Sequence, residues 1–471
     1  MRLGRRLQAG LGRVGLGLAL VVVLGGTGIV LARDRSGGPA SPAGAQPAKL
    51  GRLGTGHDVA GAVARAQQRL AQVPGDWTTW AELGVAYVQQ ARVTGDPSYY
   101  PKADGVLRRS LQVRPTDNAV ALAGLGTLAA ARHDFTRALR YGEQAVRLDD
   151  ASAIAWGVVT DANVELGRYD AAAVAVQRML DIRPDTGSLT RASYLLELHG
   201  DLAGARRMLD QALSYAPSSD DAGFVLYYLG ELAWNAGDLA TAQARYSEGL
   251  RRAPSYLPLL EGMAKVAAAR GERATALAGY RTVVTRLPLP AYLVEYGDLL
   301  AATADRAGAG QQYGVLRVQQ RLAASYGVNV DLDLALFDAD HATARGATDR
   351  GATDQGVTNA GATGQGTARQ AVSEAAAALR QRPGVLGEDA YAWALHAAGR
   401  NAEALPHARR ALRLGTRSAA MLYHLGTIEA AVGHAADARR HLAAALATNP
   451  HFNPVQAPRA QALLARLGGS G

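Results

Sequence analysis

The 471-residue chain contains no cysteine. Disulfides, thiolate metal sites and cysteine nucleophiles are therefore excluded, and the chain would be at ease in an oxidising compartment. Phenylalanine is scarce, with four residues, and β-branched side chains are thin beside abundant alanine, leucine and arginine. That balance suits helices and argues against a sheet. The short motifs of catalysis are missing as well. No glycine is followed by lysine, no histidine by glutamate, and no GxSxG elbow occurs, which removes the P-loop, the HExxH zinc helix and the hydrolase nucleophile. Gly10, Gly12 and Gly15 have dinucleotide-fingerprint spacing, but no strand precedes them and an apolar run follows. No catalytic residue, cofactor or metal site is assigned, and the reading is non-enzymatic.

Charge is unevenly placed. Of the formal +9, residues 1–56 hold +7: eight bases, Arg2, Arg5, Arg6, Arg13, Arg33, Arg35, Lys49 and Arg52, against Asp34 alone. The rest of the chain is close to neutral, so no basic groove for nucleic acid is expected. The leading arginines flank an uncharged run from Val14 to Ala32, which as a helix would reach about 28 Å, near the thickness of a hydrocarbon core. Residues 1–35 therefore read as a signal anchor or a cleaved signal peptide. Either way the remainder is expected outside the cytoplasm, on a single-pass membrane anchor or secreted. Residues 36–56, rich in Gly, Pro, Ala and Ser, read as a flexible linker.

From residue 57 onward a pattern of thirty-four residues recurs. Its clearest copy carries Trp156, Val159, Gly167, Tyr169, Ala172 and Pro184, which spells helix, turn, helix, stop. Other copies keep Leu83, Gly84, Tyr87, Ala103 and Pro115, then Leu229, Gly230, Gly237, Ala242, Tyr246 and Pro254. A late copy has Leu425, Gly426, Gly433, Ala438 and Pro450. A helix pair cannot bury its own apolar face, so repetition at this period implies a stack in which each pair covers the next. The array is read as 57–341 and 370–471, interrupted at 342–369 by Gly/Thr pentapeptides such as GATDR and GATDQ, expected to be a disordered insertion. The last residues are expected to form a capping helix.

The pattern resembles the tetratricopeptide repeat. The stretches at 334–341, 403–416 and 449–454 resemble a group of bacterial exported members of that family. The resemblance implies an all-α, right-handed superhelical solenoid of antiparallel helix pairs, which binds other proteins on a concave face formed by the first helices. Carried over by repeat position, the partner-binding candidates are Asp161, Glu165, Tyr194, Glu197, Tyr227, Glu231, Trp234, Asn235, Glu261 and Lys265. The alternation of acid and ring suits a peptide bearing Arg or Lys. The functional expectation is a scaffold or assembly factor of the cell envelope. The alternative is an accessory protein for metal or solute handling through the C-terminal residues His341, His396, His407, His424, His434, His441 and His451 with nearby aspartates. No spacing brings three ligands together, so these histidines are read first as solvated helix surface.

Overall fold

The structure, a computed structural model, describes residues 59–329, 332–348 and 357–468. The apolar run at 14–32, the linker and residues 349–356 of the Gly/Thr segment lie outside the described residues. Among those described, every regular element is a helix, and no helix is long and apolar enough to cross a membrane.

A single helix, α1 (Val59–Gln72), precedes ten pairs. They are α2 (Trp77–Thr94) with α3 (Tyr99–Val113), α4 (Ala119–Ala131) with α5 (Phe135–Leu148), α6 (Ala153–Glu165) with α7 (Tyr169–Ile182), and α8 (Thr186–Leu198) with α9 (Leu202–Ser214). Next come α10 (Ser219–Asn235) with α11 (Leu239–Arg252), α12 (Leu257–Ala269) with α13 (Arg273–Arg286), and α14 (Pro290–Ala302) with α15 (Arg306–Ser325). The last three pairs are α16 (Leu332–Thr348) with α17 (Val357–Gln381), α18 (Val385–Ala397) with α19 (Asn401–Ala411), and α20 (Ala419–Ala431) with α21 (Ala435–Thr448). A final helix, α22 (Gln456–Arg466), packs on the last pair. The helices α16 and α17 reach into the segment expected to be a disordered insertion, which leaves 349–356 outside the described residues.

Several pairs are built by the same local chemistry, four of them with an aspartate cap on the second helix. The first helix ends on a left-handed residue, Gly167, Gly200, Gly237, Gly271, Gly399 or Gly433 among them, with His133 and Ala304 at the same place in two pairs. An aspartate then caps the second helix: Asp134, Asp201, Asp238 and Asp305 accept from the backbone N–H three residues on, each such cap contributing about 1 kcal/mol. Within a pair the helices touch through small residues. Ala138, Ala172, Ala205, Ala242 and Ala276 are fully buried, and a side chain on Gly230 would run into the Tyr246 ring. Tyr246, itself fully buried, shows the complementary half of the arrangement: the glycine is absent volume that the ring fills.

What the repeat does not announce is that the array closes on itself. The turns of early pairs meet the chain entering the pair six further on, or, for α10, the chain entering the final helix α22. After α4, the backbone carbonyls of Arg132 and His133 accept from the backbone N–H and Nδ2 of Asn329, at 3.0 and 3.2 Å. At the start of α7, the Tyr169 hydroxyl accepts from the Val385 N–H at 2.8 Å. At the end of α8, Leu198 O accepts from Thr416 Oγ1 at 2.6 Å, and in α10, Trp234 O accepts from Asn449 Nδ2 at 2.8 Å. Each bond gives a polar group at or near a helix end a partner from a distant part of the chain. Gly237 shows why its position takes no side chain. It sits at φ +74°, and a Cβ there would lie 2.9 Å from the carbonyl oxygen of Thr448.

Candidate binding cavity

Where the chain after α21 returns across α10, α12 and α14, it leaves a cavity of about 430 Å³. One wall comes from those three first helices, with Glu231, Trp234, Glu261, Lys265, Glu295 and Asp298. The other comes from the returning chain, through Asn449, His451, Phe452 and Asn453, together with Phe337, Asp340 and His424. The thirty-four-residue spacing recurs here: Glu231 and Lys265 occupy one register of successive first helices, and Tyr227 and Glu261 another.

Of the ten residues predicted from the sequence, six line this cavity: Tyr227, Glu231, Trp234, Asn235, Glu261 and Lys265. They are not an exposed groove. Tyr227 and Trp234 are 4% and 7% exposed, and Glu261 is 1% exposed. The other four are committed to the framework. Asp161 holds Arg191 through two 2.7 Å bonds, and Glu165 receives Arg382 at 2.6 and 2.8 Å. Tyr194 packs beside Glu165 and Arg382 around a void of only about 10 Å³. Glu197 accepts from Asn235 Nδ2 at 3.3 Å. Burial pushes the Glu197 carboxyl up to about 7, with the Asn235 amide opposing and Glu231 adding to the rise.

The cavity's electrostatics centre on Lys265. Its ammonium lies 3.0 Å from Glu231 and 3.0 Å from Glu261, and 5.6 Å from the centre of the Trp234 ring. Burial alone would lower its pKa, but Glu231 and Glu261 overcome this and hold it well above the ordinary lysine value. Tyr246 donates to Glu231 at 2.5 Å, and Tyr280 to Glu295 at 3.2 Å. Glu261 is raised well above the ordinary glutamate value by burial and then by the Glu295 carboxyl beside it, with Lys265 pulling the other way. On the far side Asp340 accepts from Trp393 Nε1 and Gln456 Nε2, both at 2.6 Å, while Asp298 accepts from Tyr313 at 2.8 Å.

Sequence reasoning missed Glu295, Asp298, Asp340, Tyr280, Tyr292 and the returning strap. Glu295 was findable, because it stands thirty-four residues after Glu261. The strap was not, since its partners lie some two hundred residues away.

The histidine reading needs correction. His424 is 2% exposed, stacks at 4.1 Å on Trp393, and places Nδ1 3.0 Å from Asp389. His341 stacks on Phe337, and His407 and His441 each sit 2.6 Å from a glutamate, Glu388 and Glu429. His424 is a paired interior group, His341, His407 and His441 are paired and half-buried, and His434 and His451 are exposed. Among the described residues, no group of three His, Asp or Glu side chains is placed to hold a metal ion.

Among the described residues, ten antiparallel helix pairs, many at a spacing near thirty-four residues and joined by left-handed turns and small-residue contacts, make this an all-α solenoid of the tetratricopeptide type. The chain is similar to a tetratricopeptide repeat protein from Parabacteroides merdae, at 17% identity over 57% of this chain and 99% of that one, TM-score 0.38. It is also similar to a thermophilic tetratricopeptide protein from Thermus thermophilus, at 22% identity over 40% and 98%, TM-score 0.35. A third is PilW, a type IV pilus biogenesis factor, at 17% identity over 42% and 92%, TM-score 0.36. No protein-family model and no curated protein matches the chain.

Proposed function

We propose that the chain is a non-enzymatic scaffold or assembly factor of the cell envelope that holds a segment of a partner protein inside its winding array. The observation that carries this reading is the 430 Å³ cavity, where first-helix side chains at the repeat's inward positions meet the returning strap Asn449–Pro454. Solenoids offer long inner surfaces suited to such work. A cavity of this size lies within the range of about 300–1,000 Å³ that holds small ligands or a short peptide stretch. The envelope placement rests on the arginine-flanked apolar run at 14–32, which would anchor or export the array.

The absence of cysteine makes the test direct, because one introduced thiol is unique. His451→Cys puts a photo-crosslinker on the cavity wall, and Val174→Cys puts one at a position that is 63% exposed and away from the cavity. Crosslinking in membranes should trap a partner from position 451 and not from position 174. Capture of the same partner from both positions, or from neither, would remove the cavity as the working site.

A further inference from the structure

The cavity wall is short of positive charge. Among the described residues, five carboxyl groups face it, Glu231, Glu261, Glu295, Asp298 and Asp340, while Lys265 is the one lysine or arginine lining it. Lys265 is already divided between Glu231 and Glu261. Asp298 accepts from the Tyr313 hydroxyl and has His341 Nε2 at 3.4 Å, and Asp340 accepts from Trp393 and Gln456. Glu295 has the Tyr280 hydroxyl.

Glu261 is the exceptional member. It is 1% exposed, it lines the cavity, and its carboxyl group has as neighbours the Lys265 ammonium at 3.0 Å and the Glu295 carboxyl group. A carboxyl group buried in this way is costly unless a donor reaches it. The Glu295 carboxyl group lies against it and supplies no cation. Around this pair the wall is aromatic: Tyr227, Trp234, Tyr280 and Tyr292. Ring faces beside paired acids favour a cation carried on an apolar stem, since the rings attract the charge and cover the methylenes.

We propose that the cavity is a receptor for a cationic side chain, the guanidinium or ammonium of an arginine or lysine carried on a short extended segment of a partner protein. This rests on the reading of the chain as a segment-binding scaffold and names the chemistry of the segment. The guest's charge completes the Glu261 and Glu295 pair, its stem lies against the rings, and its flanking peptide meets the polar strap at His451 and Asn453.

The test is calorimetric titration of the full chain with acetyl-Ala-Arg-Ala-amide, with the same peptide carrying neutral citrulline, and with agmatine as a free guanidinium. The arginine peptide should bind at least tenfold more tightly than the citrulline peptide and more tightly than agmatine. It should lose tenfold or more on Glu295→Gln, and its affinity should fall as salt rises. Because a cavity variant risks unfolding, the melting temperature of the unmodified chain provides an independent readout, rising with arginine peptide and not with citrulline peptide. Equal binding of the two peptides, or no heat and no thermal shift from either, overturns the proposal. Tighter binding of agmatine overturns the assignment to a peptide. If the cationic peptide fails while the crosslinker at position 451 still captures a partner, the cation proposal falls and the scaffold reading stands; if both fail, both fall.

Discussion

The inward acids of α6 and those of α10, α12 and α14 occupy comparable places in the repeat and have opposite fates. In α6, Asp161 and Glu165 are closed by Arg191 and Arg382, each through short bonds to a guanidinium. In α10, α12 and α14, Glu231 and Glu261 share one lysine, Glu295 has the Tyr280 hydroxyl, and all three face open volume. The repeat therefore supplies acids to the inner surface without deciding their use. An arginine that reaches the site turns the acid into a framework contact, and where none arrives the acid remains available to a guest. Arg382 follows the second helix of the pair that holds the Gly/Thr segment, 217 residues from Glu165.

The largest effect should come from opening the closed region. Arg382 is 1% exposed and also lies 5.2 Å over the Phe135 ring. Arg382→Ala would leave Glu165 buried without its partner, and stability should fall by about 3–5 kcal/mol in denaturant unfolding. A loss below about 1 kcal/mol would erase the contrast between the regions.

A smaller effect marks the boundary between them. Glu197 sits between α6 and α10 in the array, with its carboxyl raised to about 7 by burial. Between the ordinary glutamate range near 4.5 and about 7, the folded chain keeps a proton that the unfolded chain has released. Stability is therefore greatest below that window and declines as pH rises through it. The melting temperature should drop from pH 5 to pH 8, and Glu197→Gln should flatten the drop by the equivalent of about 1–3 kcal/mol. Glu82, raised to about 7 mainly by burial, should keep part of the slope. An identical slope in the variant would show that Glu197 titrates normally.

The smallest effect has the opposite sign. Glu295→Gln removes one charge from a crowded carboxyl pair, so the unliganded protein should gain about 0.5–1 kcal/mol at pH 8. Asp161→Asn, in the closed region, should lose stability because Arg191 is then left short of its charge partner. If both variants move the melting temperature in the same direction, the two sets of acids do not differ in kind.

The helix pairs were legible in the sequence because each is held by neighbours within one repeat. Gly167, Tyr169 and Ala172 do the same jobs in the structure that their spacing assigns to them: left-handed turn, first ring of the second helix, and close helix contact. The end of α15 at Ser325 follows the sequence too, since no proline closes that unit earlier. The site was legible only in part. Repeat position brought six residues to the cavity, and it placed Asp161 and Glu165 on an inner surface without revealing the arginines that cover them. The histidines misled because exposure was inferred from polarity, whereas His424 is buried by the Asp389 contact and the Trp393 stack.

By itself the sequence determined a helical array of thirty-four-residue units, where its turns fall, and which faces of the first helices look inward. Those are outcomes of contacts between residues close in the chain, and periodicity records them. The tertiary structure alone decided that the chain some six pairs further on returns to the early turns, that a strap of the last residues roofs α10, α12 and α14, and which acids are thereby neutralised. The small rotation from one pair to the next accumulates over the whole array. The side chains that meet after a full winding therefore have no fixed spacing in the sequence that would reveal them.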